Sequence, residues 1–113
     1  MTESLPSKVL HLKDLIVYQE DAIVSRVLMR KNAGNITLFA FAAGQELSEH
    51  TAPYDAFVYI LDGKAEITLS GAKYQVVAGE MLIMPAKEPH ALYAIEPFKM
   101  LLVMIKSGDT SGA

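Results

Sequence analysis

The feature that most constrains this chain is a two-residue alternation of apolar side chains that breaks and returns roughly every ten residues. In NITLFAFAAG, residues 35 to 44, Ile36, Leu38, Ala40 and Ala42 fall on one face of an extended strand, with Thr37, Phe39 and Phe41 on the other. Both faces are largely apolar, as expected of a strand covered on two sides. DAFVYILDGKAEITLSGAKYQVVAGE reads as three strands joined by two hairpins, because Asp62-Gly63 and Ser70-Gly71 supply the positive φ angles that tight turns need. EMLIMP, PHALYAI and FKMLLVMIK continue the pattern, and DAIVSRVLMRK precedes it. Pro53, Pro85, Pro89 and Pro97 fall at or beside the proposed strand ends, where a missing N–H costs least. Eight or nine short strands in one unit predict an all-β domain, a closed barrel or jelly roll.

A chain of 113 residues is too short for two cores, and 51% hydrophobic with 20% charged residues is the composition of an ordinary globular domain. Residues 5 to 16, LPSKVLHLKDLI, suit a short strand or one to two helical turns equally well. Residues 1–16 are therefore set apart as an N-terminal segment, expected to pack at a dimer interface or to exchange a strand there, since a barrel of this size has sheet edges to cover. The barrel is expected over 17–106, with 107–113 a flexible tail.

A net charge of −3, with no cluster of lysine or arginine, leaves no electrostatic footprint for nucleic acid. No stretch is long and apolar enough to span a bilayer, and no basic segment leads into a long apolar run near the start. The absence of cysteine removes disulfides and thiolate metal ligands. The expectation is a soluble cytoplasmic protein, a homodimer with no nucleic-acid or membrane partner. Gly-x-Gly-x-x-Gly, Gly-Lys-Ser/Thr, His-Glu-x-x-His and Gly-x-Ser-x-Gly are all missing, which excludes the dinucleotide, nucleotide, zinc-protease and serine-hydrolase readings that rest on them.

Two spaced patterns carry the functional signal. Gly44 is followed after five residues by His50, and later by Gly63; Gly79 is followed after five residues by Pro85, and then by His90. Between them lies AEITLSGAKYQVVA, a strand, turn and strand. On these spacings, from about residue 36 to 105, the chain resembles the cupin superfamily, small double-stranded β-helix barrels of the jelly-roll type. In the metal-binding cupins three histidines and a glutamate hold iron, manganese, nickel or zinc. The resemblance gives this chain only His50 and His90 of that set: Ala52 stands at the second histidine position and Ala56 at the glutamate position. Lys87 replaces the glycine of the second motif, and Ala94 its final asparagine.

Alanine has no lone pair to donate, so two imidazoles would hold a divalent ion with less than the usual three or four protein ligands. Glu46 shares strand parity with His50, Asp55 adjoins Ala56, and His11 is the remaining histidine; none has spacing that recommends it as a third ligand. Asp55 reaches the face of Ala56 only through a bulge near Pro53. Alternation from Ala56 carries the same face on to Val58 and Ile60, and from His90 to Leu92. The expected pocket is thus mainly apolar, lined by His50, Ala52, Tyr54, Ala56, Val58, Ile60, His90 and Leu92, with His50 and His90 as candidate metal ligands. Met29, Met81, Met84, Met100 and Met104 suit either the lining of a ligand pocket, where a flexible thioether adapts to shape, or core filling, and core filling is favoured; Glu46, Glu49 and Glu88 are read as solvated loop charges, and His11 as structural or interfacial.

Three function classes follow. The favoured one is a small-molecule-binding cupin whose apolar lumen holds an organic ligand, with the two histidines fixing its polar end; it needs no cofactor. The second is a metal-dependent enzyme, of the dioxygenase or isomerase kind found among cupins, with zinc, iron, manganese or nickel on a reduced histidine set. The third is a non-catalytic dimeric sensor or interaction module. Whether the chain is an enzyme stays open at this point.

Overall fold

The computed structural model describes residues 5–107; the tail expected at 107–113 lies outside the described residues apart from Ser107. Nine strands form among them: β1 (Ile23–Lys31), β2 (Gly34–Phe41), β3 (Glu46–His50), β4 (Tyr54–Asp62), β5 (Lys64–Leu69), β6 (Ala72–Val77), β7 (Met81–Met84), β8 (His90–Ala94) and β9 (Phe98–Lys106). Every pairing is antiparallel. They make two sheets, a five-stranded one ordered β1-β2-β9-β4-β7 and a four-stranded one ordered β3-β8-β5-β6. The all-β jelly roll expected from the alternation is the fold observed. No helix among the described residues is long and apolar enough to cross a membrane.

The inward faces of the two sheets meet in one core, where Phe41, Val58, Ile60, Ile67, Phe98 and Met100 are almost wholly removed from water. Phe41 and Phe98 stack with ring centroids 4.4 Å apart, an arrangement that contributes about 0.5–1.5 kcal/mol beyond the burial itself. The two-sided character of residues 35 to 44 has a simple cause. Phe39 and Phe41 face this core, while Leu38 and Ala40 face outward and are covered by a second, smaller cluster around Ile16.

That cover is the N-terminal segment. Residues Leu12–Leu15 form a single 3-10 turn, so no strand forms over 5–16 in this chain. Leu12, Leu15 and Ile16 pack on Leu38, Ala40, Leu61 and Leu101. Polar contacts hold the segment in place. Arg26 donates to the Leu15 carbonyl (2.9 Å), Lys99 to that of Lys13 (2.8 Å), and the Tyr18 hydroxyl to Asp62 Oδ2 (2.7 Å). Burial, reinforced by that hydrogen bond and the negative charge of Asp62, pushes the Tyr18 phenol well above its ordinary pKa.

One expected hairpin is not a hairpin. Ser70 (φ 49°) and Gly71 (φ 86°) do form a two-residue turn between the paired β5 and β6. β4 and β5, however, belong to different sheets, and Gly63 is the corner where the chain crosses from one to the other. It has φ 80°, and a Cβ there would run into the Pro97 carbonyl, so both conformation and space demand glycine.

Candidate functional site

β3 and β8 are the two strands that bring the motif histidines together. Their register pairs Leu47 with Leu92 and His50 with His90, with an irregularity between Leu47 and His50. That irregularity shifts the alternation, so that Leu47 and His50, three residues apart, both face inward. Glu46, which simple alternation put beside His50, instead lines a groove with Ser48, Glu66, Lys73 and Tyr93 on the outside of the four-stranded sheet. Its parity with His50 therefore does not survive folding.

The two imidazoles line a cavity of about 190 Å³. Ala52, Tyr54 and Ala56 follow His50 along the chain on one wall, and Phe39, Leu47, Leu92, Met84, Met100, Leu102 and Met104 complete it. Of the eight pocket residues expected from the sequence, six line this cavity: His50, Ala52, Tyr54, Ala56, His90 and Leu92. Val58 and Ile60 do not. They share the inward face of β4 but lie further along it, at 0% exposure in the packed core and outside this cavity's lining. Met84, Met100 and Met104 both fill core and line the cavity, so for these three the two alternatives hold together.

His50 is exposed and stands at the mouth, whereas His90 is 8% exposed. Their rings meet edge to face with centroids 4.2 Å apart. Each Nδ1 contacts the backbone carbonyl two residues earlier, Ser48 at 2.8 Å for His50 and Glu88 at 3.0 Å for His90. A carbonyl oxygen only accepts, so both Nδ1 atoms are the protonated donors. In the neutral rings Nε2 is then left as a lone pair on each, the state in which imidazole accepts a hydrogen bond or ligates a metal.

The proposed third ligands are elsewhere. Asp55 points outward, its Oδ1 accepting the Ala86 N–H at 2.9 Å. His11 is exposed, at the start of the N-terminal 3-10 turn, and does not line the cavity. Among the described residues no three His, Asp or Glu side chains come together in a way that would hold a metal ion. The cavity thus presents two imidazole nitrogens and no carboxylate, a set that does not fit a divalent ion requiring three or four protein ligands.

The loop before His90 keeps the motif's shape without its glycine. Lys87 adopts φ 71°, the left-handed conformation, and its N–H donates to the Ala52 carbonyl at 2.8 Å, tying the two motifs together at the cavity mouth. Ser70 Oγ donates to the neighbouring Glu88 carboxylate, so Glu88 is a loop-fixing group more than a freely solvated charge.

A model of the cupin domain matches residues 37–105. Among solved structures, a conserved protein of unknown function from Streptococcus pyogenes is 42% identical, with a TM-score of 0.88 over 96% of this chain and 95% of that one. A cupin superfamily protein from Desulfitobacterium hafniense is 32% identical, with a TM-score of 0.85 over 90% of this chain and 94% of that one. Among curated proteins, the polyketide synthase CurC of Streptomyces cyaneus is 29% identical over 69 residues, 60% of this chain; the match spans 45% of that relative's length.

Proposed function

Given that the chain belongs to the cupin superfamily, we propose that it is a small-molecule-binding protein whose barrel holds an organic ligand by an apolar wall and two imidazoles. The observation that carries this is the alanine pair. Ala52 and Ala56 remove coordinating atoms and open the space beside His50 and His90 in a single stroke. At about 190 Å³ the cavity is a little larger than one of about 150 Å³ that takes benzene, and smaller than the 300 Å³ or so that drug-sized ligands begin to need. A single ring or a short branched chain fits. With both Nδ1 protons already given to carbonyls, the neutral imidazoles accept at Nε2, so the ligand is one that brings O–H or N–H donors. The name polyketide synthase carried by the Streptomyces cyaneus relative is in keeping with an organic ligand.

The test is a binding screen of hydroxylated single-ring and short-chain compounds, read by ligand-observed NMR on copper-free and zinc-free protein. Hits should bind the wild type and lose binding in His50→Ala and His90→Ala. Hits that bind both variants as well as the wild type would show that the pair plays no part.

A second reading, a metal-dependent enzyme of the dioxygenase or isomerase kind with zinc, iron, manganese or nickel on His50 and His90, is supported by the two ligation-ready Nε2 atoms and opposed by the lack of a third histidine or carboxylate donor among the described residues. We place the protein in the cytoplasm, as its cysteine-free composition suits, and we propose that it is a homodimer. Ile83, Phe57, Val103, Ile36 and Met29 are cross-strand neighbours that form one apolar row across the outside of all five strands of the larger sheet. Leu5 and Leu10 of the N-terminal segment line a groove beside Met29 and Ile36, which supports a role for that segment at the rim of this proposed interface.

A further inference from the structure

The donor atoms around the cavity are soft, and we propose that the site takes copper(I), held by Nε2 of His50 and His90 and by the thioether sulfurs of Met84 and Met104. The register places these methionines in a specific relation to the vacant ligand position. Ala56 on β4 pairs with Met84 on β7 and with Met104 on β9. All three face the cavity. Residues directly opposite in an antiparallel pair have Cβ atoms about 4.5–5.5 Å apart, so two thioethers flank the place from which a carboxylate ligand is missing. One oxygen donor has been exchanged for two sulfur donors within the same wall.

That exchange changes which ion the site suits. Oxygen and nitrogen donors in threes and fours favour divalent ions, whereas thioethers select the soft monovalent state of copper. Two imidazoles, too few for zinc, are an adequate base for a cuprous ion once one or two thioethers join them. Methionine reaches such a position readily, because its side chain has three rotatable bonds and fills irregular space without a fixed shape. Both imidazoles are already held in the tautomer that ligation needs. The binding is a simple association, with no change of oxidation state at copper or sulfur.

The inference does not rest on the organic-ligand reading, and each is measured without the other: the organic screen uses copper-free protein, and the copper assay contains no organic ligand other than the reporter chelator. Untagged protein is titrated anaerobically with copper(I) in competition with a chromogenic copper(I) chelator, with zinc(II) titrated separately for contrast. The wild type should withdraw one copper(I) per chain and bind zinc(II) far more weakly. Met84→Leu/Met104→Leu should lose copper(I) affinity by about tenfold or more, the scale on which even groups outside the ligand shell act. Leucine nearly matches methionine in volume, so the barrel should stay folded. X-ray absorption at the copper edge of the wild type gives a second reading independent of any variant, and should contain copper–sulfur scattering. The proposal fails if the wild type leaves copper with the chelator, if zinc(II) binds as tightly as copper(I), if the folded double variant matches the wild type, or if the edge spectrum shows nitrogen and oxygen alone.

Discussion

His50 and His90 sit opposite each other on β3 and β8, their rings edge to face at 4.2 Å between centroids, and each ring is anchored through Nδ1 to the backbone of its own strand approach. Anchoring of this kind fixes which nitrogen carries the proton. Long-range nitrogen–proton correlation spectra of labelled protein should therefore show both neutral rings as the Nδ1–H form. A ring with its proton on Nε2 would present a donor to the cavity, and would remove the basis for a ligand that brings its own donors.

The conformation of Lys87 is the most economical target for stabilisation. At φ 71° a side chain with a Cβ costs on the order of 1–2 kcal/mol, which glycine avoids, while glycine itself costs about 0.5–1 kcal/mol more in backbone entropy. The balance predicts that Lys87→Gly raises stability by roughly 0.5–1 kcal/mol in urea unfolding, and that Lys87→Val lowers it. The N–H bond to Ala52 survives both changes, since it belongs to the backbone. Equal midpoints for all three proteins would mean that the loop relaxes out of the left-handed region at no cost.

Much of this fold was legible before the structure, and the failures share one physical origin. Alternation located the strands because side chains on successive residues must go to opposite sheet faces. It could not say which strands share a sheet: Asp62-Gly63 has the composition of a hairpin turn, yet its positive φ serves a crossing between sheets, so close to the Pro97 carbonyl, far along the chain, that only glycine fits. Alternation also misplaced Glu46, because the irregularity between Leu47 and His50 leaves no mark in residue type. Parity puts Val58 and Ile60 on the inward face but carries no information on where along a strand the cavity closes, and both lie beyond it in the packed core. That Met84 and Met104 flank one position, Ala56, is set by long-range register, which alternation along a single strand does not carry.

Tyr18 predicts a pH dependence with a definite sign. Its phenol pKa is raised in the folded chain by burial and by Asp62, so folding favours the protonated form. A raised value means that the contribution to stability is complete below the ordinary phenol value of about 10 and is lost as pH climbs from there towards the folded-state value. Tyr18→Phe should cost about 1 kcal/mol at neutral pH, the usual value of one hydrogen bond, and should lose stability less steeply above pH 10 or so. The difference between the tyrosinate absorbance titrations of wild type and variant, which isolates Tyr18, should rise only above the ordinary range. A difference trace centred near the ordinary value would place this hydroxyl in water and leave the N-terminal segment without its tie to Asp62.

The apolar row on the larger sheet predicts association. Ile83 is 54% exposed in the single chain and ends the row, so a charge there does not disturb the core. Light scattering at micromolar concentration should give a dimer for the wild type, and Ile83→Asp should shift the equilibrium towards monomer with an unchanged circular dichroism spectrum. A wild type that remains monomeric would rule out this face as a self-interface.

Restoring the missing donors tests what the alanines do. Ala56→Glu with Ala52→His returns an imidazole and a carboxylate to the cavity wall. Position 56 is 5% exposed and flanked by Met84 and Met104, so without metal the new carboxylate is taken out of water with only imidazoles of the cavity to pair it. Removing a charge from water in that way costs several kcal/mol, and the metal-free double variant should melt well below the wild type. Manganese or zinc should then raise its melting temperature, because an ion that binds only the folded form stabilises it in proportion to the logarithm of its concentration. The wild type, offering two nitrogens, should show little or no shift with the same ions. A wild type that responds to manganese or zinc as strongly as the restored variant would mean that a nitrogen or oxygen donor beyond His50 and His90 already completes the site, and that the alanines did not empty it.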